Sequence, residues 1–260
     1  MTAVLRELRP HLHLDCLTVT GRTLGEELGR ADSGFRQKVI RPSGDPVYPA
    51  GGLAVLRGNL APRGAILKPS SASRELMEHE ARAVVFESAE DLALRIDDPA
   101  LDVARDDILV LKGIGPLGGP GMPEAGAIPI PKKLARAGVK DMVRISDGRM
   151  SGTAAGTIVL HVTPEAALGG PLTVVRTGDR IRLSVAQRSL SLLVSDAELK
   201  DRMARLQPVE PPTQQRGYHK LFLQSVTQAD QGCDFDFLRA AIRVTVLCSE
   251  QHSKEAKASG

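Results

Sequence analysis

The chain contains no tryptophan, and its 260 residues include only two tyrosines and five phenylalanines. Surfaces that stack nucleic-acid bases or sugar rings need more aromatic side chains than this. Lysine and arginine exceed aspartate and glutamate by only three, 34 against 31. A surplus this small gives no basic surface for nucleic acid or for an anionic membrane, despite a sequence pI of about 8.8. We therefore expect neither a nucleic acid nor a membrane as a partner.

Cysteines and long apolar runs are also scarce. Cys16, Cys233 and Cys248 are an odd number and show no CxxC spacing. This argues against a disulfide framework and against a self-contained zinc or iron–sulfur site. No uninterrupted apolar run approaches the ~18 residues of a membrane helix. The first ten residues, MTAVLRELRP, lack the apolar segment of a signal peptide. These features predict a cytoplasmic protein with reduced thiols.

Hydrophobic residues make up 42% of the chain and charged residues 25%, which is the balance of a globular protein with a substantial core. From Gly51 onwards, short runs rich in Val, Ile and Leu recur between glycines, prolines and polar residues, as buried strands do. The predicted strands are residues 53–56, 65–67, 83–86, 108–111, 143–145, 157–162, 172–175, 181–185 and 190–194.

Predicted helices are fewer. They cover residues 88–96, 131–137, 195–206 and 218–228, and a further helix is expected to begin at 163–165. Thr23 with Glu26, and Ser195 with Glu198, fit the pattern of a helix cap. Many short strands with intervening helices predict an α+β fold, with a β-barrel or sandwich core and helices packed outside. The polar stretch 249–260 lacks periodicity, so we expect it to be disordered.

A first candidate for chemistry is the stretch 113–124, which holds five glycines and three prolines before Glu124. Glycine lets the backbone approach a ligand, and proline stiffens the loop. The prolines would break the helix that a GxGxxG motif must open, which disfavours dinucleotide binding. A lone carboxylate at the end of a rigid loop suits Mg²⁺. The alternative is an ordinary wide turn.

A second candidate is the stretch 144–156, where Ser151 lies in a turn of small residues after a strand. A serine becomes a useful base or nucleophile only when positive charge or a partner base favours its ionised form. Arg144 and Arg149 precede it closely in the sequence. A GxSxG hydrolase elbow would need glycine where Arg149 and Thr153 stand. The alternative is a simple turn of Ser, Gly and Thr.

The third candidate is the stretch 51–70. Arg57, Asn59 and Lys68 follow strands there and could bind a carboxylate or phosphate, although a solvated turn explains them equally well. His161 lies singly in a strand-like run, so we expect it to be a satisfied core or surface histidine.

Together these stretches resemble the C-terminal half of the dihydroxy-acid dehydratase family, which also includes phosphogluconate and sugar-acid dehydratases. The resemblance covers nearly all of residues 1–238 and looks closest to the sugar-acid branch, such as arabinonate or xylonate dehydratases. The sequences that carry it are LHLDCLTVTGRTLGE, GGLAVLRGNLAPRGAILKPS, HEARAVVFES, PGMPE, VRISDGRMSGTAAGTIVLHVTPEAALGGPL and GCDFDFL.

The resemblance implies a swivelling β-barrel with flanking helices over residues 39–245. A remnant of an N-terminal α/β domain and a linker would occupy 1–38, and a disordered tail would occupy 246–260. The implied activity is that of a hydro-lyase, which converts a 2,3-dihydroxy carboxylate into a 2-keto-3-deoxy acid in sugar-acid metabolism or branched-chain amino-acid biosynthesis. In that family an iron–sulfur cluster acts as a Lewis acid on the C3 hydroxyl, and Mg²⁺ holds the carboxylate and the C2 oxygen.

By motif position, Ser151 corresponds to the base that removes the C2 proton and Glu124 to a magnesium ligand. Thr153, Ser146 and Arg149 would contact the substrate, a polyhydroxy carboxylate. The cluster ligands are expected in an N-terminal half, supplied in trans or lost, and the intact enzyme is expected to be a homo-oligomer. The family pattern ends after Leu238, where the C-terminal histidine usual in the family has no recognisable match.

Three hypotheses follow: a dehydratase part that works with an N-terminal half, an inactive binding module, and a metal-independent serine enzyme. If the first is correct, the two catalytic loops converge at one end of the barrel, and Glu124 is partly open. Leu117, Met122, Ala125 and Ile128 would then form an exposed apolar patch beside them.

Overall fold

The computed structural model describes residues 1–30, 38–46, 51–206 and 216–238. The chain divides into two compact units, one formed by Met1–Ala50 with Ala241–Gly260 and the other by Gly51–Ala240. The described part of the first unit contains helices α1 (Thr2–Glu7) and α2 (Leu24–Arg30). The N–H of Glu26 donates to Thr23 Oγ1 at 3.2 Å, and the N–H of Thr23 donates to the Glu26 carboxylate at 2.8 Å. The predicted helix cap is therefore confirmed, while the predicted tail 246–260 lies outside the described residues.

The second unit contains eight described strands and four described helices. The strands are β1 (Ala54–Leu56), β2 (Gly64–Leu67), β3 (Glu78–Phe86), β4 (Ile108–Leu111), β5 (Arg144–Ser146), β6 (Ile158–Thr163), β7 (Arg180–Ser184) and β8 (Ser189–Leu192). The helices are α3 (Ala89–Arg95), α4 (Lys132–Arg136), α5 (Asp196–Ala204) and α6 (Gly217–Ser225). None of the described helices has the length and apolar character that crossing a membrane requires.

The eight strands form one sheet in the order β1-β2-β6-β5-β4-β3-β7-β8. The central strands β3, β4, β5 and β6 run parallel, and the outer strands pair antiparallel. β3 joins the two parts because Glu78–Arg82 pairs with β7 and Ala83–Phe86 pairs with β4. Parallel strands need crossover connections, and the long loops after β4 and β5 are such connections.

The sheet closes on itself between its first and last strands. The N–H of Arg57, directly after β1, donates to the carbonyl of Arg188, and the N–H of Leu190 donates back to Arg57, both at 2.9 Å. The Asn59 side chain extends this contact, since its amide exchanges two hydrogen bonds of 2.8 Å with the backbone of Leu192. The result is an eight-stranded, nearly closed barrel, and the predicted α+β barrel fold is confirmed.

Gly58 lies where β1 meets β8. A Cβ atom at this position would stand 2.1 Å from the carbonyl oxygen of Leu190, well inside any real contact distance. Only glycine allows the two backbones to approach this closely.

The barrel has apolar side chains on both faces of its parallel strands, because the interior and the covering helices each bury one face. The interior cluster includes Leu56, Leu67, Val85, Val110, Ile145 and Val159. The outer cluster packs β3 and β4 against α3 and the loop before β5, and includes Val84, Phe86, Leu92, Leu109, Leu111, Ile114, Ile128 and Met142. The alternation of Val84, Val85 and Phe86 between these clusters reflects the two-residue period of a strand.

Two predicted elements are wrong. Residues 172–174 belong to a 3-10 turn, Pro171–Val174, whose buried Leu172 and Val174 supply the apolar pattern that suggested a strand over 172–175. No helix begins at residues 163–165, because Thr163 ends β6 opposite Gly64 of β2 and a short 3-10 turn, Ala166–Leu168, follows.

Aromatic side chains are distributed unevenly. Of the five among the described residues, only Phe86 is fully buried, in the outer cluster between the sheet and α3. The other four contact one another outside it, with ring centroids 5.5 to 6.4 Å apart: Tyr218, Phe222, Phe235 and Phe237.

Candidate functional site

Two loops leave the carboxyl ends of the neighbouring parallel strands β4 and β5. We call residues 112–126 the glycine-rich loop and residues 147–157 the serine loop. Because β4 and β5 are parallel and adjacent, both loops begin at the same edge of the sheet. The segment after β6, which is parallel to β5, begins at that edge as well.

Asp147, the first residue of the serine loop, anchors the start of the glycine-rich loop. Its carboxylate is fully buried and accepts hydrogen bonds from the N–H groups of Gly113 at 3.2 Å, Ile114 at 3.0 Å and Ala166 at 2.8 Å. Burial raises the pKa of Asp147 to about 6, and the three N–H donors only partly offset that effect. One carboxylate thus ties together the segments that follow three parallel strands.

Glu165, which follows β6, holds the middle of the glycine-rich loop. Its side chain is buried and accepts hydrogen bonds of 3.0 Å from the N–H groups of Leu117 and Gly118. Gln228 completes the arrangement, donating to the Glu165 carboxylate at 2.5 Å and accepting from the Glu165 N–H at 3.0 Å. A Cβ at Gly115 would stand 2.5 Å from the Glu165 carboxylate, so the loop requires glycine there.

Glu124 and Arg149 bring the two loops together. Arg149 Nη2 lies 2.5 Å from Glu124 Oε1, and these side chains are 45% and 49% exposed respectively. The backbones also join, because the N–H of Gly126 donates to the carbonyl of Arg149 at 2.7 Å. The loops therefore converge at one place, as the sequence predicts, and the Glu124 carboxylate is open to solvent.

Ser151 lies two residues beyond Arg149 and is half-buried. Its Oγ is 3.1 Å from Oγ1 of Thr153, which is exposed. Lys68 supports this part of the serine loop by donating to the carbonyl of Gly152 at 2.7 Å. The structure thus groups four of the five predicted site residues, Glu124, Arg149, Ser151 and Thr153, on the two converging loops.

Ser146 and Arg144 lie beneath this surface. Ser146 is fully buried, and its hydroxyl accepts a hydrogen bond from the N–H of Gly148 at 3.0 Å. Arg144 begins β5 and forms a buried ion pair of 2.7 Å with Asp141. Ser146 therefore supports the turn into the serine loop, and the charge of Arg144 is already matched by a carboxylate.

The three polar residues predicted to bind an anion in the stretch 51–70 lie in different places and do not form one site. Asn59 is used in barrel closure, and Lys68 reaches the serine loop. Arg57 lines a cavity of about 440 Å³ instead, together with His161 and the ion-paired side chains of Arg63 and Asp230.

His161 departs from its expected role. Its backbone is in the left-handed region, with φ 54°, and its N–H donates to the carbonyl of Gly148 at 3.1 Å. Its Nδ1 is buried and has no hydrogen-bond partner in the part of the chain that the structure describes. Burial and the nearby charge of Arg149 lower the pKa of His161, so the ring is neutral at pH 7. No pattern in the sequence indicated this orphaned nitrogen.

The predicted apolar patch beside the loops is wrong in two of its four members. Leu117 and Ile128 are buried in the second unit, and Met122 and Ala125 are partly exposed. Leu117 is drawn inward because its backbone N–H bonds to the buried Glu165.

Whether these residues can hold a metal depends on which His, Cys, Asp and Glu side chains lie close together. Among residues 1–30, 38–46, 51–206 and 216–238, no three His, Cys, Asp or Glu side chains form a group that could hold a metal ion. The free thiols of Cys16 and Cys233 are accordingly in no such group, so these residues do not fit an iron–sulfur cluster. Glu124 is a half-exposed carboxylate, the kind of oxygen ligand that a hard cation takes, but it is paired with the Arg149 guanidinium and could supply one ligand only.

Comparison with known sequences identifies the family of the chain. A sequence model described as dihydroxy-acid/6-phosphogluconate dehydratase C-terminal matches residues 38–233. The chain belongs to this dehydratase family. The match includes both loops, the anchors Asp147 and Glu165, and the whole barrel.

Curated relatives carry dehydratase names. The chain is 51% identical over 229 residues to the L-arabonate dehydratase of Azospirillum brasilense, covering 86% of this chain and 39% of that protein. It is 49% identical over 243 residues to the 6-deoxy-6-sulfo-D-gluconate dehydratase of Pseudomonas putida, covering 92% and 42%. The dihydroxy-acid dehydratase of Caldanaerobacter subterraneus is 40% identical over 238 residues, covering 90% and 42%. The chain thus spans about two fifths of the length of these relatives.

Proposed function

We propose that this chain is the C-terminal part of a hydro-lyase that converts 2,3-dihydroxy carboxylates into 2-keto-3-deoxy acids. Sugar acids are the favoured substrate class, because identity to the relatives named for sugar acids is 49% and 51%, against 40% for the dihydroxy-acid dehydratase.

The observation that carries the proposal is the contact between Glu124 and Arg149. It places an open carboxylate, a cation and the Ser151 hydroxyl on two loops that meet. A C2–H beside a carboxylate is weakly acidic, so its removal requires a base together with positive charge where the enediolate develops. In our proposal Ser151 Oγ takes the C2 proton, and the cations nearby favour its ionised form.

The other residues orient the acid. Arg149 would bind an oxyanion of the substrate, and Thr153 would hold a substrate hydroxyl beside Ser151, from which it stands 3.1 Å away. Ser146 would contribute indirectly: it is buried, and its hydroxyl accepts a hydrogen bond from Gly148 that supports the turn into the serine loop. Asp147 and Glu165 would keep the glycine-rich loop, and with it Glu124, in place.

Glu124 would hold Mg²⁺, which would supply positive charge to stabilise the enediolate, and an iron–sulfur cluster held by other residues would supply Lewis acidity for loss of the hydroxyl group. The remaining metal ligands and the cluster ligands would come from the region that corresponds to the other three fifths of the relatives. We also propose that this region acts in the same chain or in trans, that the assembled enzyme is a homo-oligomer and that it is cytoplasmic. The free thiols of Cys16 and Cys233 support that location.

A chimera tests the proposal. Residues 1–238 replace the matching region of the Azospirillum L-arabonate dehydratase, and formation of 2-keto-3-deoxy acid is measured with a panel of sugar acids and dihydroxy acids. We expect dehydration of at least one sugar acid and weaker turnover of branched dihydroxy acids. A correctly folded, metal-loaded chimera with no dehydration of any acid would contradict the proposal.

In the same chimera, Ser151→Ala should lower kcat by about 10²–10⁴-fold, the usual contribution of a positioned base. KM should change little, because the substitution removes a single oxygen. Ser189→Ala, in a half-buried serine on β8, serves as the control and should leave kcat unchanged. Full activity in Ser151→Ala would exclude the assigned base.

Glu124→Gln should instead raise both KM and the Mg²⁺ concentration needed for half-maximal activity, because the amide keeps the shape but loses the charge that binds a hard cation. An unchanged Mg²⁺ requirement would exclude Glu124 as a ligand.

A further inference from the structure

Lys68 lies where the chain leaves β2 and meets the serine loop. β2 runs antiparallel to β6, so Leu67 at the end of β2 lies opposite Val159, close to the point where the serine loop returns to the sheet. Lys68 Nζ donates to the carbonyl of Gly152 at 2.7 Å. Gly152 directly follows Ser151, so the ammonium group lies at the turn that carries this hydroxyl.

The backbone after Lys68 holds the end of the same loop. The N–H of Gly156 donates to the carbonyl of Ser71 at 2.8 Å. The N–H of Ser73 donates to Oγ1 of Thr157 at 3.0 Å. Neither contact uses an atom of the Lys68 side chain, so joining the serine loop to the segment after β2 does not require a positive charge.

Lys68 differs from the other cations of the second unit that are withdrawn from water. Within residues 51–206 and 216–238, seven lysines and arginines are buried or half-buried. Six of them form an ion pair with a carboxylate: Arg63, Arg82, Arg95, Lys112, Arg144 and Arg202. Lys68 is the seventh, and over the same described residues its ammonium group meets a neutral carbonyl and no carboxylate.

A charge in this position calls for an anion. A cation that has lost part of its hydration and gained no opposite charge is unfavourable. An ammonium group has three donors, and the carbonyl of Gly152 takes one of them. Hydrogen bonds from lysine to an anionic oxygen are about twice as strong as those between neutral groups. A carboxylate bound here would therefore satisfy both the charge and the remaining donors.

We propose that Lys68 is a substrate-binding residue, whose ammonium group donates to the carboxylate of the acid while its bond to Gly152 keeps it beside Ser151. The inference rests on the proposed function in taking Ser151 as the base, because the substrate carboxylate is one bond away from the carbon that loses its proton. It accounts for a half-buried cation without a carboxylate partner at the loop that carries the proposed base.

The test uses the full chain with L-arabonate, the acid in the name of one relative, as the probe. L-Arabitol, which has a hydroxymethyl group in place of the carboxylate, is the matched ligand. NMR follows the ε-methylene signal of Lys68, identified by its absence in Lys68→Arg. L-Arabonate should shift this signal in a saturable way, and L-arabitol should not shift it at the same concentrations.

Lys68→Met removes the charge and keeps the length of the side chain. It should raise the L-arabonate concentration at half-saturation, measured on the amide signals of the serine loop, about 10- to 100-fold, the usual effect of losing a hydrogen bond to a charged group. Lys68→Arg keeps the charge and should weaken binding less. Lys200→Met is the control, since it removes an exposed ammonium group from α5 and should leave the midpoint unchanged.

Hydrogen exchange separates binding of the acid from support of the loop. The N–H of Gly156, which is bonded to Ser71, should exchange at the same rate in Lys68→Met and in the wild-type chain. Faster exchange together with weaker L-arabonate binding would show that Lys68 only holds the serine loop, and the inference would be overturned.

The remaining outcomes distinguish this inference from the proposed function. If L-arabonate does not shift the Lys68 signal, or if Lys68→Met binds it as tightly as the wild-type chain, the inference fails whatever the activity of the chimera. If Lys68 responds as expected but the chimera dehydrates no acid, carboxylate binding at Lys68 stands and the proposed function fails.

Discussion

The pKa values of two aspartates that flank β5, the buried Asp147 and the half-buried Asp141, are shifted in opposite directions. Burial raises the pKa of Asp147 to about 6, against the weaker effect of three N–H donors. Burial also acts to raise the pKa of Asp141, but hydrogen bonds from Thr157 and Ser73 and the charge of Arg144 outweigh it, so this pKa is lowered. The ionised form of Asp147 is therefore unfavourable in the folded state, and that of Asp141 is favourable.

This contrast predicts opposite pH dependences of stability. Because the folded pKa of Asp147 is about 6 and its unfolded value is about 3.9, the folded state binds its proton more tightly. Its contribution to stability is complete below about pH 4 and is lost as pH rises to about 6, by roughly 1–3 kcal/mol. The free energy of unfolding of wild type minus that of Asp147→Asn, from urea titrations, should therefore fall across this window.

Asp141→Asn is the matched control. Its folded pKa is lowered, so its stabilising contribution is present at neutral pH and is lost as pH falls below the unfolded value. The wild-type minus Asp141→Asn difference should accordingly grow as pH rises. Differences that change in the same direction for both variants would contradict these assignments.

At the scale of elements, the sequence was sufficient to predict structure where the contacts join residues close together in the chain. The caps at Thr23 and Ser195 were predictable because each needs only residues three positions apart. The turn at Pro171–Val174 was not, since an apolar run looks alike in a strand and in a buried 3-10 turn. The expected helix at residues 163–165 failed because pairing of Thr163 with β2, a contact distant in sequence, decides that segment.

Helix α5 offers a direct measurement of a predicted cap. Ser195 Oγ accepts a hydrogen bond of 3.1 Å from the N–H of Glu198. Ser195→Ala should lower the free energy of unfolding by about 1 kcal/mol, because that N–H loses its partner. Ser195→Thr keeps an acceptor and should cost less. Equal losses in the two variants, measured by urea unfolding, would show that the hydroxyl contact contributes nothing.

At the scale of the molecule, the barrel and the meeting of the two loops were predictable, but the side-chain contacts that join the loops were not. The strand pattern indicated a barrel, and family motifs indicated Glu124 and Ser151. The pairing of Glu124 with Arg149 joins residues 25 positions apart, and no periodicity encodes such a contact. Asp147 and Glu165 were likewise hidden, since a carboxylate that bonds backbone N–H groups needs no particular residue type opposite it.

Closure of the barrel at Gly58 predicts the cost of a single methyl group. Gly58→Ala would place a Cβ 2.1 Å from the carbonyl of Leu190, so β1 and β8 must separate. The expected loss in the free energy of unfolding is about 2–4 kcal/mol, as for other substitutions that force a backbone shift. Gly52→Ala is the control, because a Cβ there meets nothing within 4 Å. Similar stabilities for the two variants would show that the close approach is not needed.

The described strands of the barrel contain no tyrosine or tryptophan, so they contribute little fluorescence or near-ultraviolet circular dichroism. The chain has no tryptophan and only two tyrosines, and the described one, Tyr218, belongs to the ring cluster outside the barrel. The signal of this tyrosine therefore reports on the segment around α6 rather than on the strands. A single tryptophan introduced at Phe86, the buried ring of the outer cluster, would add a fluorescent probe between the sheet and α3.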